Sequence, residues 1–232
     1  MSNANRLDSA EQRIDRPRSL VDMAVERIRA AIIDGRLGFG EQVSEIGLAT
    51  TFGISKTPVR EALLRLKLEG LVEIHPQRGS FVFSLSGQQV HELMQFRELI
   101  ESAALGEAIR EDRAALSRML EDNLAAMARC EAEGKMERIP ELDSDFHESI
   151  LKACSNPYLR ASYALIGYRF QALRSRLPAQ NKKVDDCQQS HGAILDAVTA
   201  GTTARAQKLL KEHIRSTESA YLEASRQTRI AA

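Results

Sequence analysis

The stretch SKTPVREAL, residues 55–63, constrains the fold more than any other segment of the chain. Val59, Ala62, Leu63 and Leu66 recur at helical spacing and define one apolar face. Ser55 stands where a hydroxyl can cap the helix, and Pro58 falls in the first turn, where a missing N–H costs little. Lys56, Thr57, Arg60 and Lys67 lie along one flank of that face. Across residues 55–67 the cations Lys56, Arg60, Arg65 and Lys67 meet a single acid, Glu61, in a chain whose net charge is zero. Any affinity for a polyanion is therefore local. A short helix with a cationic, hydroxyl-bearing N-terminal half suits the DNA major groove, because its first residues reach base edges while its amides and dipole favour phosphate. An amphipathic helix with a solvated basic flank is the plainer alternative for these residues taken alone.

The surrounding sequence favours the groove. Ser19 can cap a helix with the stripe Val21, Ala24, Val25, Ile28, Ala31 and Ile32, and Gly35 ends it. LGFGEQ, residues 37–42, reads as a turn. Ser44 opens a short helix running to Thr51, which Gly53 breaks, and the Ser55 helix follows after two residues. Two helices joined by a tight Gly-containing turn form a helix-turn-helix. LVEI at 71–74 and SFVFS at 80–84 flank the turn HPQRG and read as a hairpin, which completes a winged helix-turn-helix over 18–84. Arg78, in the hairpin turn, can enter a minor groove or meet phosphate, or simply remain solvated. Residues 1–17 read as a polar, flexible arm and 85–89 as a linker.

With these motifs in hand, the N-terminal third resembles the DNA-binding domain of the GntR family of bacterial transcriptional regulators. The resemblance runs gap-free through IIDGRLGFGEQVSE, LATTFGISKTPVREALLRLKLEGLV and the RGSFV wing. It implies a double-stranded DNA operator as partner and Ser55, Lys56, Thr57, Arg60 and Arg78 as DNA-binding residues. The family usually carries Arg at the position of Lys56, and relatives often place a cation where Ile46 stands. Lysine lacks the two-pronged fork that arginine offers guanine.

Residues 90–226 read as helical throughout, with helices over 87–110, 113–133, 138–154, 156–177, 181–199 and 203–226 and a tail at 227–232. The expected architecture is mainly α: a winged helix-turn-helix followed by an all-helical bundle. Four polar residues interrupt its apolar stripes. Asp143 and His147 are four apart on the row continued by Ile150 and Cys154. His191 leads Ile194, Leu195 and Val198, and His213 follows Ala206, Leu209 and Leu210. Any one of them fits a hydrogen-bonded core histidine. Three imidazoles and a carboxylate on facing helices fit a divalent transition metal, with zinc, nickel, cobalt and manganese all compatible.

LDSDFHESILKACSNPYL at 142–159, SHGAILDAVTAG at 190–201 and KEHI at 211–214 are similar to the FCD ligand-binding domain of the FadR-like branch of these regulators. The resemblance implies a metal, zinc first, on Asp143, His147, His191 and His213, and a small organic acid as effector. Ser190 stands where relatives often have Glu, a change beside the ligands. Arg97 lies among Val90, Leu93, Met94, Ile100, Ala104 and Leu105. It reads either as a salt-bridge partner of Glu101 or as the grip on an effector carboxylate.

The expected function is thus a ligand-responsive regulator, a repressor in its first reading, binding a palindromic operator as a homodimer. A direct metal sensor is the alternative, and a metal-dependent hydrolase with a DNA-binding head a weaker one, because no separate acid or base is nominated near the metal. The chain is therefore expected not to be an enzyme. No apolar run approaches the roughly 20 residues of a membrane span. Cys130, Cys154 and Cys187 are widely spaced, as in a reduced, cytoplasmic protein. The absence of Trp and the 5% aromatic content argue against a stacking platform for single strands.

Overall fold

The computed structural model describes residues 18–176 and 181–230. The arm expected over 1–17, the end of the tail and the side chain of Cys187 lie outside the described residues; Cys130 and Cys154 are buried free thiols.

Helix α1 (Leu20–Ile33) starts where Ser19 Oγ accepts the Asp22 amide at 3.0 Å, and α2 (Glu45–Phe52) where Ser44 Oγ accepts that of Gly47 at 3.1 Å. Gly53 ends α2 at φ +67° and hands the chain to α3 (Lys56–Leu68). Ser55 occupies the N-cap of α3, but its hydroxyl makes no capping hydrogen bond. The third helical residue is Pro58, which has no N–H to offer, so one of the two amides a capping hydroxyl can reach is missing. Val59, Ala62, Leu63 and Leu66 are buried as the periodicity requires.

The hairpin strands are β2 (Val72–His75) and β3 (Gly79–Val82), with Val72 opposite Val82 and His75 opposite Gly79. A strand not legible in the sequence, β1 (Gln42–Val43), joins them in the order β1-β3-β2. Its first residue ends the segment read as a turn, and two residues are too few to display alternation. It covers the second edge of β3, with Gln42 opposite Phe81.

Beyond the wing, Ser86 and Gln89 form a capping box for α4 (Gly87–Ala132). The two helices expected over 87–110 and 113–133 are one element bent at Asp112 (φ −147°, ψ 79°), whose carboxylate accepts the Ala115 amide at 2.8 Å and restarts the helix. A 3-10 turn at Met136–Arg138 leads into α5 (Ile139–Ala153), followed by α6 (Pro157–Arg174), α7 (Asn181–Thr199) and α8 (Thr203–Ile230). Helix α4 packs against α5, α7 and α8, while α6 leans on α1. A continuous apolar core runs from Ile28, Leu63 and Phe83 in the head to Phe146, Phe170, Ile194 and Leu210 in the bundle. Among the described residues no helix is long and apolar enough to cross a membrane.

Candidate functional site

Helix α5 turns Asp143 and His147 inward from successive turns, α7 supplies His191 and α8 supplies His213. The three histidines are 0–3% exposed, and one ligand atom from each of the four side chains lies within 4.8 Å of all the others. His191 Nε2 is 3.2 Å from His213 Nε2, which is 3.3 Å from His147 Nε2; Asp143 Oδ1 is 3.5 Å from His191 Nε2.

The opposite ring nitrogens of His147 and His213 are already engaged. His147 Nδ1 meets Glu101 Oε2 at 2.7 Å, and a carboxylate there can only accept, so His147 carries its proton on Nδ1. His213 Nδ1 meets Ser190 Oγ at 2.8 Å, so the serine hydroxyl supplies its partner. The His191 ring lies flat on Phe146, centroids 3.8 Å apart at 6°. With His147 in that tautomer its Nε2 directs a lone pair at His213 Nε2. Zinc–nitrogen bonds of about 2.0–2.1 Å in a tetrahedral shell would separate donors by about 3.3 Å, close to the spacings seen. The chemistry and spacing of the donor set therefore fit a divalent transition metal.

Burial acts on all four groups. It drives the imidazoles toward their neutral form, holding His191 down at about 4 and His147 and His213 well below the ordinary value. Burial alone would raise Asp143, but the adjoining Arg174 guanidinium and the three imidazoles outweigh it and keep its carboxyl well below the usual carboxylate range. Neutral imidazoles and an ionised carboxylate are the ligating forms.

Two residues that sequence reasoning did not assign to the site organise it. Arg174, 3% exposed on α6, pairs through Nε with Asp143 Oδ2 and donates from Nη1 to Ser144 Oγ at 2.9 Å. Glu101, fully buried on α4, accepts from His147 with one oxygen and from Arg97 Nε, at 2.6 Å, with the other. Arg97 is also fully buried, beneath the Phe170 ring at 4.9 Å. Its Nη1 and Nη2 find no hydrogen-bond partner among the described residues. Tyr163 and Tyr221 close this side; burial, then Glu101, pushes the Tyr163 phenol upward. Arg174 carried the same signal as Arg97, a cation on an otherwise apolar stripe (Tyr163, Ile166, Phe170), whereas the double role of Glu101 needed α4 and α5 to be brought together.

At the other end of the molecule Ser55, Lys56, Thr57 and Arg60 are all exposed at the start of α3, and Arg78 is exposed in the hairpin turn. Arg60 is held by Glu45 at the start of α2, with Nη2–Oε2 at 2.9 Å. Ile46, 60% exposed, places an apolar side chain on the same surface.

A winged helix-turn-helix head joined to an all-helical domain with an internal His/Asp cluster points to a class of DNA-binding regulator. The FCD domain matches residues 92–216 and the bacterial regulatory proteins of the gntR family match residues 20–82. The chain belongs to the GntR family of FCD-domain transcriptional regulators, which are DNA-binding proteins rather than enzymes. It is 25% identical over 215 residues to the uncharacterised HTH-type transcriptional regulator BphR of Paraburkholderia xenovorans, covering 90% of this chain and 88% of that protein. It is 32% identical over 133 residues to the HTH-type transcriptional repressor RspR of Escherichia coli, covering 57% of this chain and 58% of that one. The fold is that of a GntR-type regulator from Rhodococcus sp. RHA1 (TM-score 0.76, 22% identity, 88% of this chain and 98% of that one).

Proposed function

We propose that the chain is a metal-responsive transcriptional regulator of the FadR-like branch, in which a divalent transition metal taken up by Asp143, His147, His191 and His213 sets the affinity of the head for its operator. The observation that carries this reading is the buried convergence of three imidazole nitrogens and one carboxylate. Zinc suits this nitrogen-rich set first; nickel, cobalt and manganese are the alternatives. Once bound, the metal adds two positive charges to a buried site, which favours one arrangement of the surrounding helices over another. The response is limited to the metal's preference between two states of the protein, typically about 1–3 kcal/mol.

On the DNA side, Lys56, Thr57 and Arg60 reach base edges from the start of α3, Ser55 keeps a hydroxyl free for phosphate, and Arg78 extends the wing. A homodimer would present two such helices to half-sites about 34 Å apart or less, hence a palindromic operator. The name of the Escherichia coli relative supports repression as the sense of control. Non-membrane operation in the cytoplasm accords with both the reduced thiols and the DNA target.

A second reading is favoured by one feature. Arg97 Nη1 and Nη2 are buried without hydrogen-bond partners among the described residues, a costly arrangement that a small organic acid at the metal would relieve. Titrating zinc against operator affinity, with and without a panel of small carboxylates, separates the two. A response to zinc alone supports metal sensing. A response that needs an acid, and disappears in Arg97→Ala, supports the second reading, and no response to either refutes both.

A further inference from the structure

The end of α6 faces two ways. Arg174 points into the bundle, where it holds Asp143 and Ser144. The next two residues point into the DNA-binding head. Ser175 Oγ donates to the Ile33 carbonyl, and Arg176 Nη2 donates to the carbonyls of Ile32 at 2.7 Å and Leu37 at 2.9 Å. The Arg176 guanidinium also covers the Phe39 ring at 3.8 Å, while its Nη1 returns to the Ala172 carbonyl of α6 at 2.6 Å.

These contacts meet a specific need of α1. The last carbonyls of a helix have no partners within it. The turn after α1 satisfies two of them, since the Asp34 amide takes Ala30 and the Leu37 amide takes Ala31. The carbonyls of Ile32 and Ile33 are supplied from the other domain by Arg176 and Ser175. Nearly two turns earlier, Arg169 Nε donates to the Gly70 carbonyl at 2.8 Å, in the turn that ends α3. Gly70 has φ +70°, which strains any residue with a side chain, and a Cβ there would lie 2.1 Å from Arg169 Nη2, so the guanidinium would have to leave its place. Tyr168 receives Arg29 of α1 over its ring at 4.3 Å.

We propose that α6 is the link through which the metal site acts on the DNA-binding head, with Arg174 reading the position of Asp143 and Ser175 and Arg176 passing it to the C-terminal end of α1. The proposal rests on the metal-responsive reading and names its route. Three consecutive residues cannot shift independently. When Asp143 turns to a metal it adjusts its contact with Arg174, and any resulting tilt of the α6 end displaces the carbonyls gripped one and two residues later. Arg169 carries the same motion to the end of α3. The competing route is the covalent connection through Phe83–Gly87 into α4.

The test uses the full-length protein and the variants Arg176→Ala and Ser175→Ala, neither of which touches the four donors. Zinc content, operator affinity of metal-free and zinc-loaded protein by fluorescence anisotropy, and hydrogen exchange across residues 30–37 with and without zinc are measured. Wild type should show a zinc-dependent affinity ratio of about 5- to 150-fold and a zinc-dependent change in exchange at 34–37. Arg176→Ala should bind zinc with unchanged stoichiometry, while its affinity ratio collapses toward unity and its exchange at 34–37 becomes independent of zinc. A variant that keeps the full ratio overturns the proposal in favour of the covalent route. Should wild-type operator affinity ignore zinc, the metal-responsive reading fails on its own, and the exchange data still decide the link: no zinc-dependent change at 34–37 refutes it. If Arg176→Ala does not fold, Ser175→Ala carries the same comparison with a smaller loss of contact.

Discussion

Glu101→Gln isolates what the carboxylate at the centre of the buried network does. The substitution keeps the volume and one carbonyl oxygen but removes the charge. Two bonds depend on that charge: His147 Nδ1 at 2.7 Å and Arg97 Nε at 2.6 Å, all three side chains being fully buried. Removing one partner of a buried ion pair costs roughly 3–5 kcal/mol, because the remaining charge stays desolvated. The amide oxygen of Gln can still accept one bond, so the metal-free protein should lose about 3 kcal/mol in urea unfolding. Loss of the partner that orients a ligating imidazole lowers metal affinity by about 10- to 100-fold. Competition against a chromogenic chelator should therefore show zinc affinity down by at least the lower figure. Glu98→Gln is the control. Glu98 binds Arg215 at 2.7 Å, but the arginine is 65% exposed, and the change should stay within about 0.5 kcal/mol with zinc binding intact. Wild-type zinc affinity in Glu101→Gln would refute the assignment of His147 as a ligand whose tautomer is held by Glu101.

Three further outcomes are expected. His147→Ala with His213→Ala should remove the metal, read as zinc per chain by elemental analysis; undiminished content would disprove the donor set. Arg60→Ala should weaken operator binding by roughly 5- to 150-fold, the range for loss of a two-pronged base contact, while leaving unfolding unchanged because its pair with Glu45 is exposed; equal affinity in a gel-shift titration would exclude it from the interface. The metal-free protein should lose stability below pH 6.5. His191 is neutral in both states above its ordinary value, but between about 6.5 and about 4 the unfolded chain takes up a proton that the buried ring refuses. This one group can contribute about 3 kcal/mol, present above 6.5 and lost as pH falls through 4, and His147 and His213 shift in the same direction. Urea titrations with EDTA at pH 7 and pH 5 giving equal stabilities would contradict this.

What the sequence disclosed and what it concealed divide along physical lines. Helix starts were legible because capping is local: Ser19 and Ser44 each accept an amide three residues ahead. The same local rule overreached at Ser55, where Pro58 removes one of the amides. The ligands were legible because a charged or imidazole group on an apolar stripe breaks a periodicity that can be counted, as Asp143, His147, His191 and His213 do. Arg174 breaks a stripe in the same way, but no adjoining motif marks it out. The strand β1 could not be read, because two residues are too short to have a period; the break expected between 110 and 113 falls on the Asp112 bend, but nothing in the pattern on either side shows that the two stretches join into one element. The seam between α6 and α1 was hidden for a different reason. Its acceptors are backbone carbonyls, which every residue possesses and no sequence distinguishes.

The placement of the aromatic side chains has a practical consequence. The protein has four tyrosines and no tryptophan, so its intrinsic emission is tyrosine alone. Tyr163 and Tyr221 border the buried arginines, Tyr168 lies under Arg29 where the two domains meet, and Tyr158 is 81% exposed. Three of the four fluorophores therefore stand at the positions where ligand binding and its transmission would be felt, with the fourth as a solvent reference. Unlabelled protein carries its own optical probe, and replacing these tyrosines with phenylalanine one at a time assigns each part of the signal to its place.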